Sequence, residues 1–194
     1  MSPAVITIEF VLDFICPWSY IYKRRLKRAL RVCQNLHPEV KFNIEWRPYT
    51  LIPTPSSRAK RVDTRQRFIN QLGPVKAHKM TEDLLRAADK CEEFIDATFE
   101  TFFVKNKDID DFLIMTKVIE SMNVNKEDIK DSVFDKGRKC QVTALLKQNE
   151  EIGVTGCPFL IFNHTFGLAG AHSVDKLMFI LEQLVEQAKN SPDS

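Results

Sequence analysis

The hydrophobic residues of this chain change period several times, and each change marks an element. Val5 to Leu12 is an apolar, β-branched run that predicts a buried strand. Ile21, Tyr22, Leu26, Ala29, Leu30 and Cys33 then recur at helical spacing on one face, so a helix follows and runs to about Leu36. His37-Pro38 ends it, because the residue before proline avoids helical backbone angles. Lys41 to Trp46 alternates, with Phe42, Ile44 and Trp46 on one side, and predicts a second strand. Strand–helix–strand implies a parallel pair with a right-handed crossover. Pro48, Pro53 and Pro55, with Ser56 and Ser57, mark a loop leaving the sheet.

From about Arg58 to Gly153 nothing reads as strand. Helices are predicted over Arg61 to Leu72, Val75 to Lys90, and an aromatic stretch holding Phe94, Phe99, Phe102, Phe103 and Val104. Asp108 to Met122 opens with acidic residues and predicts another. Asn125 is the expected cap of a short helix to about Phe134. Lys136 to Ile152 closes the block, with Cys140, Ala144, Leu145, Gln148 and Ile152 on one face. Strand character returns at Phe159 to Phe162. Asn163-His164-Thr165 is a turn, and Phe166 to Ala169 the second strand of a hairpin. Ser173 is the expected N-cap of a last helix, with Leu177, Ile180, Leu181, Leu184 and Val185 facing inward.

The order βαβ, helices, ββα predicts an α/β fold, a thioredoxin-like sheet interrupted by an all-helical insertion. Residues 1–55 and 153–194 make up the thioredoxin-like domain, and residues 56–152 the insertion. At 194 residues and 44% apolar composition, the chain has ample material for a packed core. A net charge of +2 gives no case for nucleic acid or an acidic membrane surface. Lys23, Arg24, Arg25, Lys27, Arg28 and Arg31 form a basic face on the first helix, the normal solvated side of an amphipathic element. The first ten residues have no basic leader region or cleavage site. Five widely spaced cysteines then argue for a reducing, cytoplasmic setting rather than a disulfide framework.

The candidate chemistry lies where the first strand hands over to the first helix, at Asp13-Phe14-Ile15-Cys16-Pro17-Trp18-Ser19-Tyr20. Proline suits a first helical turn. The unpaired amides of that turn are oriented at Cys16, and such a site favours a nucleophilic thiolate. Ser19 stands one turn on, where a dithiol site would have its second cysteine. It is expected to hydrogen-bond the sulfur or to cap the helix. Trp18 shields the loop or offers a contact surface. Gly153-Val154-Thr155-Gly156-Cys157-Pro158 is a second constrained loop. Cys33, Cys91 and Cys140 read as packing residues, and His164 and His172 as structural. No cysteine pair has metal-ligand spacing, so no metal is expected. Asn163-His164-Thr165 matches a glycosylation sequon and is expected to be idle.

Asp13 to Ile21 with Lys23-Arg24-Arg25-Leu26, Gly153 to Phe159, and Gly170-Ala171-His172 together resemble the FrnE-like branch of DsbA-like thioredoxin proteins. Disulfide isomerases, 2-hydroxychromene-2-carboxylate isomerases and kappa-class glutathione transferases are relatives of that branch. The resemblance implies that Cys16 is the nucleophile and that Pro158 follows a cis peptide bond. Cys157 stands where such relatives often have valine.

The resulting expectation is a thiol–disulfide oxidoreductase or isomerase with a monothiol Cys-Pro-Trp-Ser site. Its catalytic candidates are Cys16, Ser19 and Cys157, and its substrate-binding candidates are Pro17, Trp18, Thr155, Gly156 and Pro158. Cys157 is expected either to resolve mixed disulfides on Cys16 or simply to pack. The expected partner is glutathione or a protein thiol or disulfide, with no cofactor beyond glutathione as co-substrate, no nucleic acid and no membrane. Two alternatives remain: a glutathione-dependent transferase or isomerase of the kappa-class type, and a non-catalytic binding scaffold.

Overall fold

A computed structural model describes residues 4–51, 90–109, 111–122 and 136–190, the side chains of Phe112 and of residues 136–140 excepted. The helices expected over Arg61 to Leu72, Val75 to Lys90 and Asn125 to Phe134 lie outside the described residues, as does the Cys140 side chain. The chain forms two compact units, Met1–Tyr49 with Val154–Ser194, and Thr50–Gly153.

In the first unit, β1 (Ala4–Leu12) is the strand to which the others are added. Its period-two pattern sends Ile6, Ile8, Phe10 and Leu12 to one face, and all four are fully buried. α1 (Pro17–Leu36) follows, then β2 (Val40–Pro48), which pairs parallel to β1 with Ile8 opposite Ile44 and Phe10 opposite Trp46. Pro48 is therefore the last residue of a strand rather than part of the following loop. Lacking an N–H, proline is tolerated at such a margin.

β3 (Phe159–Phe162) runs antiparallel on the other side of β1, and β4 (Phe166–Ala169) completes the hairpin. The described sheet has the order β2-β1-β3-β4. Asn163 and His164 at the hairpin turn both have positive φ, which asparagine tolerates better than most residues. Asn163 also ties the turn to β1, accepting at Oδ1 from the Thr7 amide at 2.9 Å and donating its own amide to the Thr7 carbonyl at 2.8 Å. Gly167 has a local packing reason: a Cβ there would lie 2.8 Å from the Phe159 ring.

The last helix follows β4. Counting α2 to α4 in the second unit, it is α5 (Val174–Asn190). It packs on α1 and β1 and buries Leu177, Leu181, Leu184 and Val185. Ser173 caps it, its Oγ accepting from the Lys176 amide. Phe10 is the centre of this core. It meets Tyr22 of α1 edge-on, with ring centroids 5.9 Å apart, and Trp46 of β2 at 5.6 Å. Lys23 departs from the expected basic face of α1: it is buried, with its ammonium over the Trp46 ring.

The described part of the second unit is helical. α2 (Cys91–Phe99) buries Phe94, Ile95 and Phe99 and runs into a π-helical turn, Glu100–Val104. α3 (Phe112–Glu120) packs on α2 and begins later than its acidic lead-in suggested. Asp111 is its N-cap, with Oδ1 accepting from the Leu113 and Ile114 amides, so Asp108 lies outside the helix. α4 (Lys136–Glu151) turns a different face inward from the one expected: Val142 and Asn149 are buried, while Ala144, Gln148 and Ile152 are exposed. Gly153, at φ +82, ends it in the left-handed conformation common after helices.

Candidate active site

The site is built from two loops of the first unit. The first is the turn between β1 and α1. Asp13 shapes it by accepting the Cys16 amide on its backbone carbonyl, at 3.1 Å, and the Ile15 amide on Oδ1, at 3.1 Å. This sets Cys16 at the N-cap of α1 with extended backbone, while Pro17 takes the first helical position. The Cys16 sulfur does what a serine or aspartate oxygen does at other helix starts. It accepts the backbone N–H of Ser19, at 3.4 Å.

The second loop precedes β3. Its start is held by Val154, which packs with Val11 and Ile161 in a small cluster joined by Tyr49 and Phe159. Its end is the Cys157–Pro158 bond, which is cis, as the resemblance implies. Pro158 is buried, and its carbonyl accepts the Gly170 amide at 2.9 Å, linking the loop to the end of β4. The carbonyl of Cys157 points at the first loop and accepts from the Cys16 thiol at 3.5 Å.

The Cys157 side chain completes the group. Its thiol lies within electrostatic reach of Cys16 and Ser19. Burial, foremost, pushes the Cys157 thiol well above the ordinary thiol range; negative charge on Cys16 adds to this, and the Ser19 hydroxyl opposes it. A hydrogen bond to Cys16 and the charge of Asp13 push in the same direction as burial. Ser19 is fully buried, and its hydroxyl has no hydrogen-bond partner among the described residues.

The sequence candidates thus divide into two sets. Cys16, Ser19, Cys157 and Pro158 come together, whereas Pro17, Trp18 and Thr155 are exposed around them and Gly156 is half-buried. Trp18 is 57% exposed, the pose of a contact residue rather than a core one. Cys16 itself is only 3% exposed. Cys33 is buried in the α1–α5 core, where burial raises its pKa and Glu182 adds to the effect.

Two relationships were not anticipated. Arg25 donates to the His172 carbonyl at 3.0 Å, and the His172 ring nitrogen Nε2 meets the Ala169 carbonyl at 2.9 Å, so α1, β4 and the start of α5 are bound together beside the site. Farther along β1, Glu9 is buried and pairs with Arg47 of β2 and with His164 Nδ1, the latter at 2.6 Å. The available signal was a carboxylate inside a β-branched run, which requires a partner. Among the described residues no helix is long and apolar enough to cross a membrane, and no group of three or more His, Cys, Asp and Glu could hold a metal ion.

A family model, the DSBA-like thioredoxin domain, matches residues 7–182. The chain belongs to that family. Membership places it, at the coarse level, with the thiol–disulfide oxidoreductases. It is 23% identical to the uncharacterized protein YwbO of Bacillus subtilis, over 87% of this chain and 94% of that one. Its fold is similar to that of a probable DsbA oxidoreductase from Streptomyces coelicolor, with a TM-score of 0.76 at 16% identity, covering 97% of this chain and 93% of the other. It is also similar to the thiol-disulfide exchange protein alpha-DsbA2 from Wolbachia pipientis, with a TM-score of 0.64 at 17% identity over 92% of this chain and 81% of that one.

Proposed function

We propose that this DsbA-like protein is a thiol–disulfide oxidoreductase of the FrnE-like branch, working from a monothiol Cys-Pro-Trp-Ser site with Cys16 as nucleophile. One observation carries the reading: the Cys16 sulfur sits at the N-cap of α1, accepts the Ser19 amide, and faces the carbonyl that precedes cis-Pro158. A thiolate there attacks one sulfur of a disulfide, the S–S bond breaks, and a mixed disulfide remains on Cys16. A second thiol, from glutathione or a protein, then attacks that mixed disulfide and returns Cys16 to thiolate. No group outside the exchanging thiols is required. A cytoplasmic setting, where the glutathione pool is reducing, suits such a cycle. Backbone next to Pro158 would hold an extended peptide by strand-like hydrogen bonds, with exposed Trp18 and Thr155 at its edges.

The test is turnover of a glutathionylated peptide by reduced glutathione. Wild type should accelerate it, and Cys16→Ala should lower the acceleration by ~100-fold or more. The kappa-class alternative makes the opposite prediction. Conjugation of glutathione to an aromatic electrophile would survive Cys16→Ala, because the thiol used there belongs to glutathione. A scaffold would turn over neither substrate.

A further inference from the structure

We infer that Cys16 and Cys157 form a two-thiol redox pair across the cis-Pro158 loop, with Cys157 as the resolving thiol in the role that Ser19 cannot fill. The inference rests on the reading of Cys16 as nucleophile and adds the identity of its redox partner.

The geometry comes first. The Cys16 sulfur rests 3.5 Å from the carbonyl of Cys157, the residue joined to Pro158 by the cis bond. A disulfide needs Cα atoms about 4.4–6.8 Å apart. The approach of the Cys16 sulfur to the Cys157 carbonyl places the two residues side by side across the loops. Cys16 is almost fully covered, so a resolving thiol already inside the site has an advantage over one that must enter from solvent. Neither cysteine is committed to another disulfide.

Electrostatics then sets the order of events. While Cys16 is a thiolate, its charge and its hydrogen bond both keep Cys157 protonated, over and above the effect of burial. Once Cys16 is in a mixed disulfide, that charge and that acceptor are gone. Two of the influences that hold the Cys157 proton are then removed, burial, the stronger one, alone still opposing its loss, and the Cys16 sulfur has become electrophilic.

The steps balance. The Cys16 thiolate attacks a disulfide RSSR, an S–S bond forms to one R sulfur, and RS⁻ departs. Cys157 gives its proton to solvent and attacks the Cys16 sulfur; the Cys16–SR bond breaks and a second RS⁻ leaves. The protein is now the Cys16–Cys157 disulfide, oxidised by two electrons, and RSSR has become two thiols. A dithiol substrate or two molecules of glutathione reduce it again and are themselves oxidised to a disulfide.

The experiment treats the reduced full-length protein with stoichiometric oxidised glutathione, quenches with acid over time, and maps peptides without reductant. The expected wild-type product is a peptide pair linked Cys16 to Cys157, with little glutathione retained. Cys157→Ala should instead hold one glutathione on Cys16, with a lifetime at least ~10-fold longer than in wild type. Cys157→Val, with a side chain of similar bulk, repeats the test, and the wild-type crosslink does not depend on either variant folding. The pair is overturned if wild type keeps glutathione on Cys16 as long as the variants do and forms no crosslink; Cys16 would still stand as nucleophile. If no protein takes up glutathione at all, the reading of Cys16 fails, and the pair fails with it.

Discussion

Ser19 donates its backbone N–H to the Cys16 sulfur at 3.4 Å, while its own hydroxyl is buried with no hydrogen-bond partner among the described residues. The residue at the place of a second thiol therefore helps to hold the first. It does so through the geometry of a helix start, where a backbone N–H needs an acceptor.

Ser19→Cys restores a thiol one helical turn from Cys16. The nearer sulfur should capture mixed disulfides ahead of any external thiol, and peptide mapping should then show Cys16 linked to the introduced thiol. Oxidation of a model dithiol without glutathione should rise by ~10-fold or more, because the resolving step becomes intramolecular with little chain to close. Unchanged rates and no new link would mean that Ser19 does not limit the site.

Glu9 is the most exacting charge in the described sheet. It is buried on β1 and faces Arg47 on one side and His164 on the other. Arg47→Met should destabilise the protein by about 3–5 kcal/mol, since it leaves a carboxylate buried without its strongest partner. Adding Glu9→Gln to that variant should restore part of the loss. Urea unfolding of the two single variants and the double variant measures the coupling; strict additivity would show that the pair does not act as a pair.

Burial of Tyr22 raises its phenol pKa well above the ordinary tyrosine range, and the His172 backbone and Arg25 only partly oppose this. The sign follows directly. Unfolding releases the phenol to ionise near pH 10, so this stability is fully present below that pH. It is lost at up to about 1.4 kcal/mol per unit as the pH rises from there toward the folded value. Tyr22→Phe removes a hydroxyl that makes no hydrogen bond of ordinary geometry, so its cost at neutral pH should be less than about 1 kcal/mol. The variant should also lose less stability than wild type between about pH 10 and 11. Parallel alkaline curves would contradict this account of Tyr22.

Gly167 leaves room for the ring of Phe159, the residue directly after Pro158. Gly167→Ala should cost about 1–3 kcal/mol through overpacking. Phe159→Leu in the same chain should recover much of that loss. Denaturant midpoints decide the matter, and an unaffected Gly167→Ala would mean that the ring moves freely.

The sheet and the cap were legible because they rest on local chemistry. Alternating β-branched residues drew β1, and proline after cysteine at a strand end drew the start of α1. What escaped depended on distance or on two-sided chemistry. The partner of His164 is 155 positions away on β1, beyond any local pattern. Lys23 was counted with its charged neighbours, yet its aliphatic stem and the Trp46 face let it sit inside. α4 carries polar and apolar residues on several faces, so its period pointed to Ala144, Gln148 and Ile152 when Val142 and Asn149 are the buried ones. The Cys16–Cys157 juxtaposition was expected from the order of elements, but the full burial of the Ser19 hydroxyl beside them could be seen only in three dimensions.

The central claim is that Cys16 is the sulfur that exchanges. Mixing the reduced protein with a glutathionylated peptide under single-turnover conditions tests it directly, with the released half and the labelled protein peptide both identified by mass spectrometry. Wild type should release one half of the mixed disulfide per protein, and the adduct, or the disulfide that resolves it, should contain Cys16. Cys16→Ala should release none above the buffer rate. Equal release by Cys16→Ala, or an adduct confined to Cys33, Cys91 or Cys140, would contradict the account.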